Sequence, residues 1–261
     1  MTRKLPAGTC IKHAVNSVRN NIAYAFRISW PWYAVIAVLS ILTFTLLGAL
    51  AAGGDYSALQ IGNFVIAALT LLALAAIAVN WHRYILLDEV PQAGNIIRLD
   101  GKTWRYLGNL LLVALILGII ATVVTVPLVL LAAPFYSEAV IAVAAVIGLV
   151  AVLFLAIFSV RLSVKLPAIA LGRQDFTFSN ALAATRGNNL ALFLILLFQF
   201  GLAIAASLVV LFFQHLLVGI HPTFGFITTL LIQLAVNWIL TILGITILTS
   251  LYGFFVEGRD F

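Results

Sequence analysis

A chain of 261 residues that is 64% hydrophobic and only 8% charged cannot cover itself for water, because a soluble domain carries about a quarter of its residues as Asp, Glu, Lys or Arg. Lys and Arg outnumber Asp and Glu by 14 to 8, and the mean hydropathy is +1.19. In so apolar a chain the surplus reads as the charge bias of membrane-protein loops, which excludes a nucleic-acid surface. The single cysteine, Cys10, allows neither an internal disulfide nor a thiolate metal site.

Taken in order, the chain opens on a segment that lacks the apolar core of a cleavable signal peptide after Arg3 and Lys4, so the first span is expected to remain in the mature protein. Cys10, in this basic segment, is expected to be a free cytoplasmic thiol. Within residues 10–27, Ile11, Val15, Val18, Ile22 and Phe26 recur three or four apart, while Lys12, Asn16, Arg19 and Asn20 occupy the other face. That period predicts an N-terminal amphipathic helix, either lying among lipid headgroups or packed on protein. Six uncharged runs follow, at about 30–52, 58–81, 107–132, 139–160, 190–217 and 224–252. Each is long enough to cross ~30 Å of hydrocarbon at ~1.5 Å per residue. After the fourth run, Thr177–Gly187 has the start and stop residues of a second short helix. The expected fold class is therefore all-α: a polytopic membrane protein with six transmembrane helices in a single transmembrane domain.

Threading the runs through a bilayer puts every cation on one side. Arg3, Lys4, Lys12, Arg19 and Arg27 precede the first run. Arg83, Arg98, Lys102 and Arg105 lie between the second and third, and Arg161, Lys165, Arg173 and Arg186 between the fourth and fifth. Arg259 follows the sixth, while the alternate loops hold Asp55, Glu138 and His221 with no Lys or Arg. The positive-inside rule then predicts that both termini are cytoplasmic.

A weak internal repeat adds an arrangement. The segment His13–Ile22 matches Asn180–Leu190 in frame, aligning Arg19 with Arg186, and Arg105–Leu110 is a looser copy. Each copy sets a cation and an Asn before an odd-numbered span, which predicts three parallel helical hairpins introduced by cytoplasmic amphipathic elements.

Chemistry has few footholds. No Asp, Glu, Lys or Arg lies near the centre of a run, which argues against a proton relay, an ion pump or a voltage sensor. The amides Asn63, Gln199, Gln214, Gln233 and Asn237 remain. Gln199, Gln233 and Asn237 are candidate midplane contacts for a solute; the alternative is interhelical hydrogen bonding, worth about 0.6 kcal/mol each. His13 and His82 fall near one interface and His215 and His221 near the other, so neither a metal site nor a cofactor is expected. Nucleophile, phosphate-loop and zinc motifs are absent, and no enzyme is expected. In Trp81–Pro91, Trp81 and Tyr84 suit the headgroup layer and Arg83 suits lipid phosphate, Asp88 or Glu89. With Arg161, Lys165 and Arg186, Arg83 forms a candidate vestibule for anionic headgroups or a partner's acidic tail. The other reading of these cations is anchoring of helix ends.

The strings WHRYILLDEVP (81–91), RLSVKLPAIALG (161–172) and FSNALAATRGN (178–188) together resemble a group of uncharacterised six-span bacterial inner-membrane proteins. That group is similar to the membrane domain fused to some glycerophosphodiester phosphodiesterases. The resemblance implies a bacterial cytoplasmic membrane and a link to lipid or envelope physiology, and it carries over no catalytic residue. The expected function is a non-enzymatic scaffold or accessory subunit that binds lipid, other membrane proteins or a larger membrane complex. The alternative is a transporter or channel for a small or lipid-like solute.

Overall fold

Helices are the only regular elements among residues 3–48, 54, 56–90, 97–132 and 137–261, which the computed structural model describes. Residues 49–52 of the first expected span, and Asp55, lie outside them. Helix α1 is Ala7–Asn20 and α2 is Ile22–Leu42, prolonged by a π-helical turn over Thr43–Leu47. Next come α3 (Ser57–Leu87), α4 (Gly101–Ala132) and α5 (Glu138–Ser163). Two short helices, α6 (Lys165–Ala170) and α7 (Phe178–Ala184), precede α8 (Asn189–Val218) and α9 (Pro222–Phe255).

Local chemistry sets several of these boundaries. The Ser137 and Thr177 hydroxyls accept the Val140 and Asn180 N–H groups at the starts of α5 and α7, each satisfying an orphan donor of a first turn. At α9 the cap is the His221 ring, with Pro222 preset in the first turn. Pro167 has no N–H for the Ser163 carbonyl, and its ring crowds that carbonyl; the helix breaks there, at Val164, between α5 and α6. Asp88 ends α3 in the left-handed region at φ 53°. The π turn lies close against α3, where a Cβ on Gly62 would come within 2.9 Å of Thr43 Cγ2.

Six helical stretches are long and apolar enough to cross a membrane: Ile22–Leu47, Ser57–Leu87, Gly101–Leu130, Glu138–Ala170, Asn189–Val218 and Pro222–Phe255. The chain is a multi-pass membrane protein. Helix α2 packs on α3, α4 on α5 and α8 on α9; α9 also meets α2 and α3, α3 meets α4, and α5 meets α8. One end of the bundle is tied by basic side chains. Arg3 donates to the Phe254 carbonyl, Lys4 to Gly187, Arg83 to Ala170, and Arg259 to Leu86. This is termed the basic end, and the opposite one the far end.

Burial is uneven along the bundle. At the basic end α3 is buried without a break from Ala75 to His82, α6 from Leu166 to Ala170, and α9 from Ile245 to Ile247 and again from Thr249 to Phe254. Ala73, Ala75, Ala76 and Ala78 let neighbouring helices approach the α3 backbone closely. Towards the far end α3 is largely exposed and α9 mostly half-buried, and the most apolar window of α5 has 0% of its residues buried. Lipid tails tolerate such surface, so these spans need no amphipathic pattern.

Two sequence expectations change here. Trp81 does not face headgroups: it is fully buried, because α3 runs through the middle of the bundle's dense end. Cys10 and Ala14 are fully buried with residues of α9, while Val15, Ile22 and Phe26 are exposed. Helix α1 thus has a small-residue face on protein, which the apolar periodicity did not reveal, and the exposed Ile22 and Phe26 of that periodicity belong to α2.

Candidate functional site

Thr229, Gln233, Asn237 and Thr241 follow one another at intervals of four on α9. At 3.6 residues per turn they form one slowly drifting polar stripe. Its last three members line a cleft of about 530 Å³ walled by α2, α3 and α9, with Tyr33, Ser40 and Thr70 facing them. Apolar residues, including Ile36, Ile66, Leu74 and Leu240, complete the wall. Gln233 Nε2 donates to Asn237 Oδ1 at 3.1 Å, Tyr33 Oη lies 3.5 Å from Thr241 Oγ1, and Thr70 donates back to the Ile66 carbonyl at 2.7 Å. Gln233 Oε1, Asn237 Nδ2 and Ser40 Oγ have no partner among the described residues. A second cavity of about 260 Å³ shares Leu230 and Gln233 with the cleft and adds Gln214 and Thr229. The Thr229 hydroxyl is buried there with no hydrogen-bond partner among the described residues.

Towards the basic end the cleft is closed. Ile77 and Thr241 are its last lining residues; beyond them Ala78, Val79, Trp81, Ile242 and Ile245 are buried in the main core. Behind this seal lies a buried polar node. His82 Nδ1 is 2.8 Å from Thr249 Oγ1, and Nε2 is 3.2 Å from Tyr106 Oη. The Thr249 hydroxyl proton goes to the Ile245 carbonyl at 2.8 Å. Thr249 therefore accepts from Nδ1–H, and Nε2 accepts from Tyr106. The node joins α3, α4 and α9, and Thr249 also lines a pocket of about 270 Å³ at the basic end with His13, Ser250 and Arg259.

The cations expected to form a vestibule are engaged by the protein to different degrees. Arg83 holds both carboxylate oxygens of Glu89 and the Ala170 carbonyl. Arg161 donates to Thr185 Oγ1 at 3.0 Å and to the Leu182 carbonyl at 2.6 Å. The Lys165 ammonium sits 4.0 Å over the Phe178 ring, and Arg186 is exposed. None of the four lines the cleft or the basic-end pocket. Gln199 is not in the cleft either: its Nε2 would lie 3.6 Å from a Cβ on Gly244, at the α8–α9 contact.

Outside the spans, hydrogen bonding from Arg83 holds the Glu89 carboxyl below its usual range, reinforced by Arg98. Partial burial pushes the Asp100 carboxyl up, but the Arg98 guanidinium and the Thr103 N–H outweigh it and leave the carboxyl low. Burial pushes the Cys10 thiol up to about 12, which keeps it unreactive. Among the described residues no group of three or more His, Cys, Asp or Glu side chains is placed to hold a metal.

Gln233 and Asn237 stood out in the sequence as amides within an apolar run. Tyr33, Ser40, Thr70 and Thr241 did not, because isolated hydroxyls are common in spans and only tertiary packing brings these together. The four-residue spacing of the α9 stripe was the readable signal. No protein-family model, no curated protein and no solved structure matches the chain.

Proposed function

We propose that this chain is a non-enzymatic membrane protein that binds a lipid-like solute in the cleft between α2, α3 and α9. One observation carries the reading: polar groups without partners among the described residues converge near the middle of the 34-residue α9, with Asn237 ~22 Å from Pro222 at ~1.5 Å per residue. Unsatisfied donors and acceptors at that depth are costly, and a bound polar group satisfies them. The cleft volume falls within the range of about 300–1,000 Å³ typical of small-molecule sites, and its apolar walls suit a hydrocarbon chain.

The membrane is the cytoplasmic membrane of a bacterium, and the basic end faces the cytoplasm, as the segregation of all cations supports. There the exposed Lys12, Arg19, Arg27 and Arg186 meet anionic headgroups, with Lys165 beside them, while Arg83 and Arg161 mainly fix helix ends. The helices are arranged as three parallel hairpins, α2–α3, α4–α5 and α8–α9. Supporting this, Asn21 and Asn188 stand just before α2 and α8 with nearly the same backbone angles, φ −120° ψ 24° and φ −113° ψ 20°. The element before each hairpin also leans on another one: α1 on α8–α9, residues 98–100 on α3 through Arg98, and α7 on α5. An accessory role in a larger complex accords with the exposed apolar surface of the α4–α5 hairpin.

Native mass spectrometry of the protein released from mild detergent tests the binding. A stoichiometric lipid-like adduct, lost when Gln233→Leu and Asn237→Leu are combined, is expected; a bare chain in both cases overturns the reading. A transporter of the same solute is the second reading, favoured by the neighbouring cavity with Gln214 and Thr229 that leads towards the far end. Its measure is flux into proteoliposomes. For orientation, a cysteine at Lys102 in a Cys10→Ser background is expected to react with an impermeant maleimide only after the cells are opened.

A further inference from the structure

The cleft is polar and uncharged. Among the described residues no Asp, Glu, Lys, Arg or His side chain lines it, and the cations all lie at or near the basic end, beyond the seal made by Ile242 and Ile245. An ionised headgroup placed there would be desolvated with no counter-charge, which strongly disfavours its entry. A headgroup with hydroxyl or amide groups meets the opposite situation. Gln233 Oε1 offers an acceptor, Asn237 Nδ2 a donor, and Ser40 Oγ either, all without protein partners among the described residues. The Gln233–Asn237 hydrogen bond leaves the carbonyl of one amide and the NH2 of the other turned to the cleft. The site therefore presents a matched acceptor and donor, the pattern completed by a hydroxyl or a primary amide.

We propose that the cleft selects an uncharged amphiphile with a hydroxyl- or amide-bearing headgroup, such as a long-chain alcohol or a mono- or diacylglycerol, and rejects phosphate- and carboxylate-bearing lipids. The inference rests on the lipid-binding reading above and narrows its ligand class. The headgroup occupies the acceptor–donor pair on α9, and the chain lies along the apolar wall formed by Ile36, Ile66 and Leu74.

The test uses the full chain in nanodiscs and two photoreactive probes with the same diazirine-bearing alkyl chain, one ending in a hydroxyl and the other in a phosphate. Labelled peptides are mapped by mass spectrometry, with Phe154 on exposed α5 as the reference for general lipid contact. The alcohol probe is expected to label cleft-lining peptides of α2, α3 and α9 at least about tenfold above that reference, corresponding to ~1.4 kcal/mol. Competition by diacylglycerol and the combined Gln233→Leu and Asn237→Leu substitutions are each expected to abolish the excess. The phosphate probe is expected to stay at the reference level in the cleft. Equal cleft labelling by both probes overturns the ligand class while leaving lipid binding in place. Cleft labelling at the reference level by both overturns the class and the lipid-binding reading together. Excess labelling by the alcohol probe that survives the double substitution, in protein whose Cys10 is still protected from maleimide, overturns the role of the two amides.

Discussion

Replacing Thr249 by Val keeps the shape of the side chain and removes the oxygen that accepts from His82 Nδ1–H at 2.8 Å. The ring is wholly buried, Thr249 is 1% exposed and Tyr106 3% exposed, so water does not replace the lost bond. The Ile245 carbonyl loses only a back-bond from Thr249 and keeps its helical partner. The cost therefore falls on His82. An unpaired buried donor costs ~1–3 kcal/mol, but the ring can move its proton to Nε2 and donate to Tyr106, trading an unpaired N–H for an unpaired lone pair. A loss of ~1 kcal/mol is expected for Thr249→Val, towards the upper part of what interhelical bonds in membranes contribute. Tyr106→Phe is expected to cost about as much. Together they leave the ring no partner, so the double variant should lose more than the sum by ~0.5 kcal/mol or more. The assay is unfolding in mixed micelles titrated with denaturing detergent at fixed pH. Thr249→Val within ~0.3 kcal/mol of the parent, together with strict additivity, would refute the bonding pattern assigned to this node.

The depressed Glu89 carboxyl contributes stability that is fully present above the ordinary Glu value of about 4.3 and is lost as pH falls through its lower folded value. Glu89→Gln should lower stability at neutral pH and flatten the acid limb of the stability curve; an unchanged acid limb would contradict this. Cys10, buried and with its thiol pushed up to about 12, should resist maleimide in the folded protein and react readily in denaturing detergent; labelling at the rate of an exposed thiol would place α1 elsewhere. A Cβ on Gly225 would stand 2.6 Å from the Val218 Cα and backbone nitrogen, whereas one on Gly219 meets nothing closer than 3.6 Å. Gly225→Ala should cost ~1–3 kcal/mol through backbone displacement, Gly219→Ala much less, and the difference is readable in the same micelle titration.

The six spans were legible because hydrocarbon demands long uncharged runs, and nothing in the chain competes with that signal. Helix lengths were less so. α3 runs on to Leu87, past the uncharged run that ends at Trp81, because His82 and Arg83 find partners in Thr249, Tyr106 and Ala170 across the bundle and in nearby Glu89. Composition does not record such partners. The misplacement of Trp81 has the same origin, since an indole suits both a headgroup layer and a dense core. Within the cleft, an amide in an apolar run advertises itself and a hydroxyl does not. That is why Gln233 and Asn237 could be picked out and Ser40 and Thr70 could not. Gln199 carried the same sequence signal and faces Gly244 instead, because an amide in an apolar run marks a polar position but not which neighbour its helix face meets.

Dense burial at one end and lipid-covered surface towards the other divides the response of the molecule to bilayer thickness. A thinner membrane can be met by tilting the far halves of α4 and α5, whose side chains are largely exposed there, while the interlocked basic end keeps its geometry. The cleft, walled by α2, α3 and α9, lies where the interlocked end gives way to lipid-covered surface, and so stands apart from the helices that absorb the tilt.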